Sequence, residues 1–143
     1  VLLAKAIDHA NEREQFGQAI SGFQAIQHLI SECQIEIAAL ESVSRAALAE
    51  WAAGDAHDLA KIAKAQAGRD GRAIAQRALQ CFGAIGFTDE HPHHLYSRRI
   101  HTLDACFGDT VSLQRELGQT IVDTGRAPRG IRAWRPGESA EGR

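Results

Sequence analysis

The sequence is poor in several residue types, and each scarcity excludes a class of protein. Methionine is absent even at position 1, which leads us to expect a piece of a longer translation product. No apolar run approaches the roughly 20 residues needed to cross a bilayer, so we predict no membrane span. The 16 basic and 18 acidic residues give a net charge of −2, which predicts neither nucleic acid nor an anionic surface as a partner.

Cysteine is also scarce, and the three cysteines are far apart in sequence. An odd number without a C-x-x-C pair excludes a disulfide framework and a zinc knuckle, so we predict buried free thiols at Cys33, Cys81 and Cys106. Glycine-rich nucleotide motifs of the GxGxxG and GxxxxGK[ST] kinds are missing as well. The chain therefore has no dinucleotide or P-loop site of the strand–turn–helix type.

A group of histidines raises the question of a metal site. His91, His93 and His94 follow Glu90, but their spacing around Pro92 does not match a closed tetrahedral site. We therefore predict no metal ligand here, and interpret the segment as a solvated loop that leads into a helix.

Helix-forming residues dominate what is present. All three prolines lie after residue 91, and the preceding stretch is rich in Ala, Gln, Glu, Leu and Arg. The sequence predicts an all-α protein, an antiparallel up-and-down four-helix bundle with a short extra C-terminal helix. The predicted helices span residues 1–14, 21–53, 57–82, 93–106 and 110–123. We assign residues 1–124 to the bundle and residues 125–143, rich in Gly, Pro and Arg, to a disordered tail.

Local signals indicate how these helices begin and end. Ser21 and Gln24 fit an S-x-x-Q capping box at the start of helix two. Asp109 or Thr110 can cap the fifth helix, and Asp55 or Asp58 the third. The apolar seam predicted for helix two consists of Phe23, Ile26, Ile30, Cys33, Ile37, Leu40, Ala47 and Trp51.

Two motifs resemble one family. Residues 10–20, Ala-Asn-Glu-Arg-Glu-Gln-Phe-Gly-Gln-Ala-Ile, resemble the ER-x-x-FG-x-x-I stretch of acyl-CoA dehydrogenases, and Phe-Gln-Ala-Ile-Gln follows at residues 23–27. Residues 80–87, Gln-Cys-Phe-Gly-Ala-Ile-Gly-Phe, resemble the Q-x-x-GG-x-G-F turn of that family, and Glu90, Pro92 and Arg98 continue the pattern. The resemblance covers about residues 4–117.

The resemblance implies the C-terminal helical bundle of a three-domain flavoenzyme. Enzymes of this family use FAD to oxidise the Cα–Cβ bond of an acyl-CoA thioester, and pass electrons to an electron-transfer flavoprotein. It implies that this bundle makes homo- or hetero-oligomer contacts and holds part of an FAD. The low lysine content beside abundant arginine and alanine suggests a GC-rich bacterial genome, from which we expect a cytoplasmic location.

The resemblance also assigns cofactor-binding residues. These are Arg13, Gln24, Gln80, Cys81, Phe82, Gly83 and Ala84. Three of them have an alternative interpretation: Arg13 as a surface ion pair, Gln24 as a capping residue and Gly83 as a left-handed helix cap. Phe16 either packs near the adenine or staples its turn. Ala84 stands where the family usually has a second glycine, which leaves less room for the loop to approach a ligand.

The family's usual catalytic base is absent from its expected place. Many members carry a glutamate in an E-G-T turn after helix four, and that position is Phe107 here. The catalytic base is therefore unknown: it lies upstream of Val1, the chain is a non-catalytic structural subunit of a heteromeric enzyme, or Asp104 or Asp109 acts from a shifted backbone. A helical adaptor without flavin is a further alternative.

Overall fold

The computed structural model describes residues 1–54 and 57–127, which are mostly helical. The α-helices are α1 (Leu2–Glu12), α2 (Gln24–Ala52), α3 (His57–Phe82), α4 (His93–Ala105) and α5 (Thr110–Thr124). The predicted all-α bundle with an additional C-terminal helix is confirmed. Asp55 and residues 128–143, most of the predicted tail, lie outside the described residues.

Helix α3 is the centre of the bundle, because α1, α2, α4 and α5 all pack against it. Its buried residues include Ala65, Gly68, Ala75 and Ala78, whose small side chains let neighbouring helices approach closely. The core cluster lies toward its C-terminal end and consists of Leu2, Ala6, Ala75, Ala78, Cys81 and Phe82. None of the helices in the described part of the chain combines the length and the hydropathy needed to cross a membrane.

Gly68 is the point of closest approach between α3 and the α4–α5 connection. A Cβ atom there would overlap Asp104 Oδ1 and Thr110 Oγ1. Asp104 Oδ1 accepts hydrogen bonds from Thr110 Oγ1 at 2.6 Å and from Thr110 N at 3.2 Å, and its other oxygen pairs with Arg72. Only glycine leaves space for this polar cluster beside α3.

The start of α2 differs from the prediction. The helix begins at Gln24, after a hairpin of β1 (Glu14–Gln15) and β2 (Gln18–Ala19) and a 3₁₀ turn over Ile20–Gly22. The side chain of Ser21 forms no cap; instead its carbonyl accepts a hydrogen bond from Gln27 Nε2 at 3.0 Å. The capping-box prediction was wrong because Ser21 lies within the 3₁₀ turn and Phe23 occupies the N-cap position of α2.

Two predicted interior positions are exposed. Trp51, the last residue of the predicted α2 seam, is 72% exposed. Cys106 is exposed as well, whereas Cys33 and Cys81 are buried free thiols as predicted. Trp51 lies one residue before the end of α2, and Cys106 follows the last residue of α4. Helix α1 also ends slightly earlier than predicted, at Glu12.

The packing at Gly68 predicts a specific loss of stability. We expect Gly68→Ala to cost about 2 kcal/mol by overpacking and to lower the midpoint temperature of thermal unfolding. Gly118→Ala is the matched control, because a Cβ at this helical glycine meets nothing within 4 Å. The control is expected to gain about 0.5–1 kcal/mol from helix propensity. A Gly68→Ala protein as stable as the control would contradict the described packing.

Candidate functional site

The site begins where α1 ends. Arg13 is the C-cap residue of α1, with an extended backbone whose N–H donates to His9 O at 2.9 Å. The chain then turns back, and Ile20 N donates to Arg13 O at 2.8 Å. Both backbone groups of Arg13 are thus fixed, while its side chain stays exposed.

A tight hairpin follows Arg13. Strands β1 and β2 pair in antiparallel fashion, with Glu14 opposite Ala19. The two turn residues, Phe16 and Gly17, have φ angles of 54° and 83°, as a type I′ turn requires. Phe16 is 94% exposed, and its ring meets that of Phe23 edge to face at a centroid distance of 6.2 Å. The hairpin therefore presents an aromatic surface beside Arg13.

The second part of the site is the corner where α3 passes into a 3₁₀ helix over Gly83–Phe87. Gly83 has a φ of 64°, in agreement with a left-handed cap, and a Cβ there would meet nothing within 4 Å. Cys81 and Phe82 are buried in the core, whereas Gln80 and Ala84 are exposed. The methyl group of Ala84 therefore lies at the exposed surface of the corner.

Hairpin and corner face each other across one cleft of about 790 Å³. The cleft is lined by His9, Arg13, Gln15, Phe16, Ile20, Phe23, Ala25, Ile26 and residues 80–85. The structure thus brings together Arg13 and the predicted set Gln80, Cys81, Phe82, Gly83 and Ala84. Gln24 is exposed as the first residue of α2, and is not among the lining residues.

Charge in this cleft is not neutralised by the bundle. Arg13 forms no salt bridge within residues 1–54 and 57–127. Burial raises the pKa of Cys81, so this thiol stays protonated and neutral. The cleft therefore offers a free guanidinium, an exposed amide and apolar walls, a combination suited to an anionic ligand with an aromatic part.

The sequence-based prediction missed several lining residues. His9 lies four residues before Arg13 on α1, and this helical spacing could have placed both on one face. Gln15, Ile20 and Ile26 reach the cleft only because the hairpin folds back, and no sequence signal we used predicted that hairpin.

A second region of interest is the turn between α4 and α5, where the family's usual base position falls. Phe107 is 98% exposed and Gly108 follows it, with φ angles of 58° and 96°. Lys64 Nζ donates to the carbonyls of Asp104 and Gly108, each at 3.0 Å. The turn is thus tied to α3, and its most exposed side chain cannot accept a proton.

The two aspartates of this turn are engaged in structural roles. Burial of Asp104 is outweighed by hydrogen bonds from Thr110 and by the charge of Arg72, which together lower the pKa of its carboxyl. Asp109 is the N-cap of α5, and hydrogen bonds from Ser112 and Val111 lower its pKa. Lowered pKa values make both carboxylates weak proton acceptors.

The histidine segment differs from the solvated loop that was predicted. His93 is only 6% exposed, and its Nε2 lies 2.8 Å from Ala75 O, to which it donates. The segment packs on α3 because Phe82 provides an aromatic surface there. In the described part of the chain, no three His, Cys, Asp or Glu side chains are grouped so that they could hold a metal ion.

Comparison with known families decides the identity of the fold. The family model for the acyl-CoA dehydrogenase C-terminal domain matches residues 1–121. The chain belongs to the acyl-CoA dehydrogenase family. This family consists of flavoprotein oxidoreductases, and the chain corresponds to their C-terminal helical domain.

Individual members of the acyl-CoA dehydrogenase family show the same relationship. Acyl-CoA dehydrogenase FadE34 of Mycobacterium tuberculosis is 37% identical over 109 residues, 74% of this chain and 15% of that protein. The solved Tcur3481-Tcur3483 steroid ACAD variant is 28% identical with a TM-score of 0.81, over 87% of this chain and 35% of that one. A structure described as electron transferring flavoprotein of Acidaminococcus fermentans is 27% identical, with a TM-score of 0.79 over 85% and 32% of the two chains. The chain therefore spans about a third or less of each of these proteins.

Proposed function

We propose that this chain is the C-terminal part of an FAD-dependent acyl-CoA dehydrogenase, and that its cleft holds part of the FAD. The observation that supports this most strongly is the meeting of Arg13 with the Gln80–Ala84 corner at one cleft. The two motifs are more than sixty residues apart in sequence, and each resembles a family motif. We assign this role to residues 1–124 and treat residues 125–143 as a tail.

Arg13 is the residue we expect to bind the pyrophosphate. Its backbone is held by hydrogen bonds to His9 and Ile20, so the point from which the side chain reaches toward the cleft is fixed. A planar guanidinium can donate two parallel hydrogen bonds to a phosphate, which a lysine cannot do. The absence of a salt bridge to any described carboxylate argues against the alternative of a surface ion pair.

The corner would contact the cofactor through Gln80 and the main chain around Gly83. The side chains of Cys81 and Phe82 are buried in the core, so only their backbone groups would contact the cofactor. Their side chains support the corner from the core side. The exposed Phe16 ring offers a stacking surface for an adenine. Gln24 lies outside the cleft lining, so its proposed cofactor contact requires the FAD to extend beyond the cleft.

The cleft fits part of a dinucleotide and not the whole reaction centre. Its volume of about 790 Å³ and its free cation suit a phosphate with an adjoining ring system. When bound, FAD supplies the hydride acceptor for α,β-dehydrogenation of an acyl-CoA thioester. The role of this chain is to bind and orient the cofactor, and to contribute homo- or hetero-oligomer contacts. The electron transferring flavoprotein among the structural neighbours supports an electron acceptor of that type. The amino-acid composition supports a cytoplasmic location.

A non-catalytic subunit of a heteromeric acyl-CoA dehydrogenase is the second candidate function. It is favoured by one observation: the turn after α4 presents Phe107, and the nearby Asp104 and Asp109 are held in ionised, hydrogen-bonded states. A base located upstream of Val1 would instead make the protein catalytic. The two candidates share the FAD site and differ in whether the protein acts alone.

The first test concerns Arg13. We expect Arg13→Ala in the intact protein to weaken FAD retention about tenfold or more, because a charge-assisted pair is lost, and to leave thermal unfolding of the apoprotein unchanged. Arg13→Lys should give an intermediate loss. Arg115→Ala, at an exposed arginine of α5, is the control and should retain FAD normally. Equal FAD retention in Arg13→Ala and the control would show that Arg13 is only a surface charge.

The second test separates the catalytic and non-catalytic candidates. The intact protein, loaded with FAD and kept free of oxygen, is mixed with straight-chain, branched and steroid-side-chain acyl-CoA thioesters. Bleaching of the flavin absorbance by any thioester would eliminate the non-catalytic candidate. If the protein binds FAD but a thioester bleaches its flavin absorbance only after a second subunit is added, the heteromeric candidate is supported.

A further inference from the structure

Histidine rings surround Phe82, the residue that links the cleft to the core. The ring centroids of His91 and Phe82 are 4.1 Å apart, and those of His9 and His93 lie 5.5 and 6.0 Å from Phe82. His9 belongs to α1 and His93 to α4, so the group joins three helices at one aromatic ring. Of these three histidine rings, that of His91 lies nearest to Phe82.

His91 is held in its neutral form by its geometry. Its Nδ1 accepts a hydrogen bond from His93 N at 3.2 Å, and an accepting nitrogen carries no proton. His93 is the first residue of α4, and the preceding Pro92 provides no side-chain cap. His91 therefore satisfies one of the unpaired N–H groups at the start of this helix. Protonation of Nδ1 would remove that hydrogen bond.

The surroundings of His91 also disfavour a positive charge. Lys5 and His9 face it from α1, His93 and His94 from α4, and the uncharged Phe82 from α3. Glu90, its neighbour in sequence, is exposed to solvent. Burial and then electrostatic repulsion from these side chains lower the pKa of His91 below its usual 6.5. The positive end of the α4 dipole acts in the same direction.

We propose that His91 makes the junction of α1, α3 and α4 sensitive to acid, so that its protonation loosens the packing around Phe82 and the adjoining cleft. The effect on the fold stands on the geometry alone, while the effect on FAD rests on the function proposed above. A neutral His91 stabilises the folded state fully above about pH 6.5, where the unfolded chain is also neutral. This stabilisation is lost as the pH falls below that value, because the unfolded state then binds the proton more readily.

The test compares the intact wild-type protein with His91→Asn at pH 7.5 and 5.5. Asparagine places an amide oxygen near the position of Nδ1, so it can accept from His93 N and does not titrate. We expect the wild-type midpoint of thermal unfolding to fall several degrees more between the two pH values than that of His91→Asn. FAD release, followed by flavin fluorescence, should accelerate several-fold in the wild type and not in His91→Asn. His101→Asn, at an exposed histidine of α4, is the control and should behave as the wild type.

An equal acid response in the wild type and His91→Asn would overturn the proposal. Should His91→Asn fail to fold, the imidazole titration of the wild type, followed by NMR, decides in its place. The proposal requires the His91 midpoint to lie below the 6.5 of an unperturbed histidine, and a midpoint at or above that value contradicts it. A protein that never retains FAD would refute the proposed function, while the unfolding and titration measurements would still test the acid-sensitive junction.

Discussion

The bundle depends on how closely other helices can approach α3. Every other helix packs on it, and the approach is tightest where Gly68 leaves room for Asp104 and Thr110. That polar cluster fixes the start of α5 and the end of α4 together, because Arg72 and Lys64 of α3 bind the same connection. Small residues on one helix thus determine where the remaining elements lie.

The same helix determines the position of the candidate site. Phe82, near its C-terminal end, packs in the core, contacts histidines of α1 and the α4 segment, and lines the cleft with Arg13. The corner beyond it turns at Gly83 and leaves Gln80 exposed. Core packing and the candidate site are therefore not separate features, since the residue that supports the cleft also belongs to the core.

Much of this could be predicted from sequence, and the failures have physical causes. Late prolines and helix-forming residues predicted the five helices. Asp109 was one of two candidate caps for the fifth helix, and a cap can be predicted because its effect is local. The predicted capping role of Ser21 was wrong. Ser21 lies in a 3₁₀ turn that follows the β1–β2 hairpin, and the local sequence does not encode the pairing of those strands. His93 was assigned to solvent because its burial requires Phe82, eleven residues away and on another helix. Arg13 and the Gln80 corner came from a family resemblance, not from their spacing.

The central claim is that Arg13 and the corner at Gln80 bind one dinucleotide. A structure of the intact protein with FAD, at a resolution that shows side chains, tests it most directly. We predict the Arg13 guanidinium and the Gln80 amide within hydrogen-bond distance of the same FAD molecule. An FAD bound elsewhere, with this cleft filled by solvent or by another part of the protein, would contradict the account.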